Sequence, residues 1–198
     1  MSGGACYPLP RELGTMVSAV HEHVRPLRRV EYDRLVSLGS FDGERIELIG
    51  GELRRMSPIG PPHTSTVDRL TELLVLALAG RARVRVQGSF AADDLSEPEP
   101  DLCILPLGDY DSAHPQEAHL IIEVADSSLS YDREQKARLY ATCGVPEYWI
   151  VNLVDRVVEV HRQPRAGRYE QLSVHPKGTR LQLLAFPDVE YSVDAFLR

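Results

Sequence analysis

The sequence predicts an α/β fold of the α+β kind: a central mixed β-sheet flanked by helices, with a β-hairpin extension on its N-terminal side. Three observations predict it. Leu120-Ile121-Ile122-Glu123-Val124 is an apolar run broken only by Glu123, the pattern of a strand covered on both faces. Val67, Leu70, Leu74, Ala77 and Leu78 recur at helical spacing. The central elements read helix, strand, strand, strand, helix, strand, an order that fits helices packed against a mixed sheet.

In chain order, residues 1–29 carry Pro8, Pro10 and Pro26 without a sustained period, and read as a loosely structured lead-in to one domain over 30–198. Glu31 to Leu38 fits a short helix. Ile46 to Ile49 and Glu52 to Met56 flank Gly50-Gly51, a pair able to take the positive φ of a two-residue hairpin turn. Pro58 to Pro62 breaks the chain, and His63 to Ala79 is the strongest helix, closed by Gly80. Arg81 to Phe90 alternates, with arginines on one side and Ala82, Val84 and Val86 on the other.

Ala91 to Pro100 reads as a polar, acidic loop, Asp101 to Pro106 as an apolar strand, and Asp109 to Asp111 as part of a further loop. Asp132 followed by Gln135 resembles a capping box, which predicts a helix from Asp132 to Gly144. Tyr148 to Val154 and Val157 to His161 are strand-like around an Asp155-Arg156 turn. Tyr169 to Val174 and Leu181 to Ala185 fit edge strands, and Val193 to Leu197 a short helix.

The 198 residues suffice for one buried core, and their 43% hydrophobic and 26% charged content is ordinary for a soluble domain. No apolar run reaches the length of a membrane span. Met1 to Pro10 lacks the basic-then-apolar order of a signal peptide. Cys6, Cys103 and Cys143 are odd in number and lack ligand-like spacing, so a reducing, cytoplasmic setting is expected. The net charge of −7 argues against a uniformly basic surface for nucleic acid. A nucleic-acid ligand then requires that the acids lie away from the binding face or that affinity depend on a metal.

Chemistry concentrates in three stretches: Glu99-Pro100-Asp101, His119 to Val124, and Asp132-Arg133-Glu134-Gln135-Lys136. Two acids at strand ends with a nearby Lys make a minimal site for a divalent cation and a phosphodiester. Asp101 and Glu123 supply carboxylate oxygens if their strands are neighbours, and the backbone carbonyl of Val124 is a candidate third ligand. Mg²⁺ takes few carboxylates and keeps several waters. Glu123 is the informative acid, because a carboxylate inside an apolar strand is costly unless paired or metal-bound. The literal Glu134-Gln135-Lys136 is a decoy, since residues two apart on a helix do not face each other. Lys136 is expected to steady the attacking water or the phosphate.

Each residue also has a plainer reading. Asp101 caps a turn, Glu123 and Lys136 form a buried ion pair without metal, Asp132 is an N-cap, and His63 is a helix-start residue. Tyr140, one turn after Lys136, has a core ring and a hydroxyl able to orient Lys136 or a phosphate. Glu47 and Glu52 flank the hairpin turn as solvated charges. The chain has no Gly-rich phosphate loop, no Gly-x-Ser-x-Gly and no zinc-like His/Cys cluster.

An ordered set of words resembles the Uma-type restriction-endonuclease-like proteins, a branch of the PD-(D/E)XK nuclease superfamily. The set comprises Glu47 to Leu53, Met56-Ser57-Pro58 with His63, Glu99 to Leu102, Ile122 to Leu129, Tyr131-Asp132, Lys136, Tyr140-Ala141 and Gly144 to Val151. The resemblance implies a restriction-endonuclease-like core and DNA cleavage dependent on Mg²⁺ or Mn²⁺, often by a homodimer. Asp101 matches the Asp of the Pro-Asp motif and Glu123 the acid of the third core strand. Ala125 stands where a Lys is usual, so Lys136 is implied as its replacement. His63 falls where related nucleases often place an acid, which implies an accessory role. The alternatives are a catalytically inactive nuclease-fold binding protein and a metal-dependent phosphoesterase for small substrates.

Overall fold

The computed structural model describes residues 25–198. Most of the predicted lead-in, with Cys6, lies outside the described residues. Helix α1 (Arg29–Ser37) precedes a hairpin of β1 (Ile46–Ile49) and β2 (Glu52–Arg55). Its turn is the predicted Gly50-Gly51, with φ values of +60° and +81° that side chains disfavour.

Helix α2 (Pro61–Leu78) begins earlier than predicted. Pro61 and Pro62 open the helix rather than break the chain. The first helical positions need no N–H donor, and the fixed proline φ already suits them. Its buried face carries His63, Thr66, Val67, Leu70, Leu74 and Leu78.

The main sheet has six strands in the order β3 (Arg83–Val86), β4 (Leu102–Leu105), β5 (Leu120–Ala125), β6 (Glu147–Asn152), β7 (Val157–Arg165) and β8 (Arg168–Pro176). β5 and β6 run parallel, and the other neighbours are antiparallel. A parallel pair needs a crossover, and residues 129–142 supply it as helix α3. Predicted alternation in β3 gives way to an edge strand in which Val86 is exposed and the Arg85 guanidinium lies 5.4 Å over the Tyr110 ring.

Helix α3 corrects the predicted capping box. It starts at Leu129 after Ser128, so Asp132 lies inside the helix, where its Oδ2 accepts the Ser128 hydroxyl at 2.6 Å. Asp132–Lys136 winds as a π-turn between α-helical Leu129–Tyr131 and Ala137–Thr142. The helix gives way at Cys143, and Gly144 has φ of +74°.

Leu181 to Ala185 is not an edge of the main sheet. Arg180–Gln182 (β9) pairs instead with Glu190–Ser192 (β10) as a separate two-stranded ribbon. The last predicted helix is a short 3₁₀ turn, Val193–Ala195.

Strand alternation divides the core. Ile122 and Val124 pack with Leu70, Leu74 and Trp149 on the α2 side. Ile121 and Ala125 pack with Tyr140 and Tyr148 on the α3 side. Glu123 shares the parity of Ile121 and Ala125, so the pleat itself delivers its carboxylate to α3. Among the described residues, no helix is long and apolar enough to cross a membrane.

A candidate active site between the hairpin and helix α3

Asp101, Glu123, Val124, Lys136 and His63 line one open cleft of about 570 Å³ between the hairpin, the start of α2 and α3. All five are buried. Five of the sequence candidates therefore meet in one place, and Tyr140 stands fully buried behind them.

Asp101 immediately precedes β4. Its Oδ2 accepts the Val124 backbone N–H at 2.8 Å and meets His63 Nε2 at 3.1 Å. A carboxylate can only accept, so the His63 proton sits on Nε2 in this contact. His63 Nδ1 is buried without a hydrogen-bond partner among the described residues. Among the described residues, Asp101 Oδ1 has a single long contact, 3.5 Å from the Gln87 amide.

On the other wall, Glu123 Oε1 accepts Lys136 Nζ at 2.9 Å and the Tyr140 hydroxyl at 2.8 Å. The π-turn keeps Asp132, Lys136 and, one α-turn later, Tyr140 on the buried face of one helix. The plainer reading of Glu123 and Lys136 as an ion pair is thus present in the geometry.

A third acid, unrecognised in the sequence, joins them. Glu47 is only 5% exposed, and its Oε2 lies 3.4 Å from Lys136 Nζ and 3.4 Å from the Glu99 backbone N–H. Its predicted role as a solvated hairpin charge is therefore wrong. β1 is fixed against the loop before β4 by the Leu48–Glu97 backbone bridge, and this turns Glu47 inward. The sequence signal was available: Glu47 sits among Ile46, Leu48 and Ile49, the same lone acid in an apolar strand that marks Glu123.

Burial pushes the Glu123 carboxyl up to about 8, with Lys136 pulling the other way. For Lys136, burial favours the neutral amine. Glu123, Glu47 and Asp132 outweigh it, so the ammonium is held charged well above its ordinary range. The direction that governs this pair is the second one: three acids around one amine keep the proton on nitrogen. Burial also raises the Asp132 carboxyl and the Tyr140 hydroxyl.

The family model described as "Putative restriction endonuclease" (Uma2) matches residues 29–194. The chain belongs to the Uma2 family. The match spans every strand of the main sheet and every residue of the cleft. No curated protein matches the chain. Among solved structures, the Uma2 chain is similar to a protein from Anabaena variabilis described as a "putative nuclease belonging to DUF820", with a TM-score of 0.71 and 15% identity. The similarity covers 87% of this chain and 98% of the other, and shows a shared fold.

The fit of a cation to this Uma2 cleft is decided by the donor atoms. Among the described residues, no three His, Cys, Asp or Glu side chains form a metal-holding group. Of the carboxylates that border the cleft, Asp101 and Glu123 each have mainly one oxygen engaged by the protein's own hydrogen bonds, Asp101 Oδ2 and Glu123 Oε1. The remaining oxygens and the Val124 carbonyl are hard donors, the type that Mg²⁺ or Mn²⁺ takes together with water.

Proposed function

We propose that this Uma2 protein is a metal-dependent endonuclease that hydrolyses DNA phosphodiester bonds. Asp101 and Glu123, with the Val124 carbonyl, hold Mg²⁺ or Mn²⁺, and Lys136 assists the attacking water. The observation that carries this reading is the convergence of Asp101, Glu123 and Lys136, from three separate elements, on one open cleft.

When bound, the cation supplies a Lewis acid for the phosphate and lowers the pKa of water. The residues do the rest. The Val124 N–H and His63 fix the Asp101 carboxylate. Lys136 and Tyr140 fix Glu123 through one oxygen. The Val124 N–H points to Asp101, and the carbonyl of an extended residue lies on the same strand edge as its N–H. Lys136, kept protonated by its acids, offers a positive charge beside the reacting groups.

The test is cleavage of supercoiled plasmid and of single-stranded DNA in Mg²⁺, Mn²⁺ or EDTA. Wild type is compared with Asp101→Ala and Glu123→Ala. Metal-dependent products lost in both variants support the assignment; normal cleavage by both overturns it.

One observation favours a second reading, a nuclease-fold binding protein without catalysis: Lys136 is already shared by two carboxylates. Calorimetry of Mn²⁺ separates the two, because a binding module needs no cation at Asp101 and Glu123.

A further inference from the structure

A nuclease cleft must hold its polyanion, yet the chain carries a net charge of −7. Inside the cleft, two cations are already engaged. Lys136 lies between Glu123 and Glu47, and Arg45 pairs with Glu99 at 2.6 Å.

Arg54 differs from both. It stands directly across the hairpin from Glu47, and directly opposed residues project to the same face. Arg54 is therefore carried on the site-facing side of β2. Its side chain is 44% exposed, and its ionic partner is Glu52 at 3.0 Å, itself 68% exposed. So solvated a pair is worth little and gives way readily.

The Arg54 guanidinium lies 5.1 Å over the ring of Tyr131, at the start of α3. This stacking spans the cleft from hairpin to helix, and both residues line it. The Tyr131 hydroxyl is buried and has no hydrogen-bond partner among the described residues. Buried hydroxyls are rarely left so, and this one lacks an acceptor. A planar guanidinium from the hairpin and a hydroxyl donor from α3, on residues that both line the cleft, match the oxygens of a phosphate.

We propose that Arg54 and Tyr131 together hold a phosphate of the bound polynucleotide strand, which makes the β1–β2 hairpin the substrate clamp of the cleft. This rests on the nuclease reading above. Arg54 anchors by charge and fork geometry, and Tyr131 sets the height of the guanidinium and adds one neutral donor. The recognition is of backbone and carries no sequence preference.

The test is fluorescence anisotropy of a labelled DNA oligonucleotide, single-stranded and duplex, in EDTA and in Ca²⁺ across a salt series. Arg54→Ala is expected to weaken binding about tenfold and to lower the salt slope by about one phosphate contact. Arg54→Lys keeps the slope and loses part of the affinity. Tyr131→Phe, which preserves the ring, weakens binding about threefold with the slope unchanged. Wild-type binding with both Arg54→Ala and Tyr131→Phe unaltered overturns the clamp while leaving the nuclease reading in place. A wild-type protein that binds no oligonucleotide in any condition overturns both.

Discussion

Glu47 Oε2 stands 3.4 Å from Lys136 Nζ, tying the N-terminal hairpin to the crossover helix of the main sheet. The Leu48–Glu97 backbone bridge docks the hairpin on the loop before β4, and this contact adds a link to α3. With it, one strand of the hairpin becomes part of the wall of the cleft, and the Lys136 ammonium is held by acids from two directions.

Glu47→Gln keeps the shape and removes one of the charges that hold the proton on Lys136. Lys136 retains Glu123, so the cost is smaller than that of orphaning a buried charge. A loss of about 1–2 kcal/mol is expected, read as a lower urea midpoint with unchanged slope. An unchanged midpoint would mean that the hairpin is held without this pair.

Lys136→Met is the sharper chemical test. The side chain keeps its length and loses its charge, leaving Glu123 and Glu47 buried without a cation. Plasmid cleavage is expected to fall by about a hundredfold or more. Circular dichroism should show a folded protein, since Glu123 can respond by taking up a proton. Cleavage within about twofold of wild type would remove Lys136 from the mechanism.

His63 is expected to act through Asp101. His63→Ala removes the 3.1 Å contact to Oδ2 and leaves the Val124 N–H as the remaining close restraint on that oxygen. Mn²⁺ affinity measured by calorimetry should drop about 10- to 100-fold, the usual cost of losing a residue that orients a ligand. His63→Gln, which restores a donor, should recover part of the loss; equal affinities across the series would refute the role.

A pH-dependence is expected away from the cleft. Glu97 is 3% exposed, and burial together with Asp33 pushes its carboxyl up to about 7. An unfolded Glu titrates at about 4.3, so between the two values the folded state holds the proton more tightly. The contribution is complete below the unfolded value and is lost as pH rises through the folded one. Glu97→Gln cannot titrate, and its urea midpoint should fall less than that of wild type between about pH 5 and about pH 8. Parallel curves would show that Glu97 does not carry the dependence.

The framework was legible because its signals are local. An apolar run, a Gly-Gly turn and a helical stripe each reported β5, the hairpin and α2 directly. Asp101, Glu123 and Lys136 were legible by position, and their meeting depended on which strands pair. What the sequence hid is tertiary. Asp132 reads as an N-cap because Asp-x-x-Gln fits that pattern, yet burial beside Lys136 draws it into a π-turn. The polar look of residues 91–100 conceals Ser96 and Glu97, buried under the hairpin. Glu47 reads as a solvated charge because its place next to a turn outweighs its apolar neighbours.

The parallel β5–β6 pair has a consequence in time. Glu47, Asp101 and Glu123 all precede Lys136 in the chain, and β6 follows it, so a nascent polypeptide emerges with its carboxylates before their cation. The pair cannot register until the crossover helix is complete, and pairing of this non-local kind is slow. The ion-paired cluster therefore cannot assemble before α3 is made, and an unfinished or truncated chain ending before α3 would carry acids with no Lys136 beside them. Assembly of the cleft is in this sense a report that synthesis has passed the centre of the sheet.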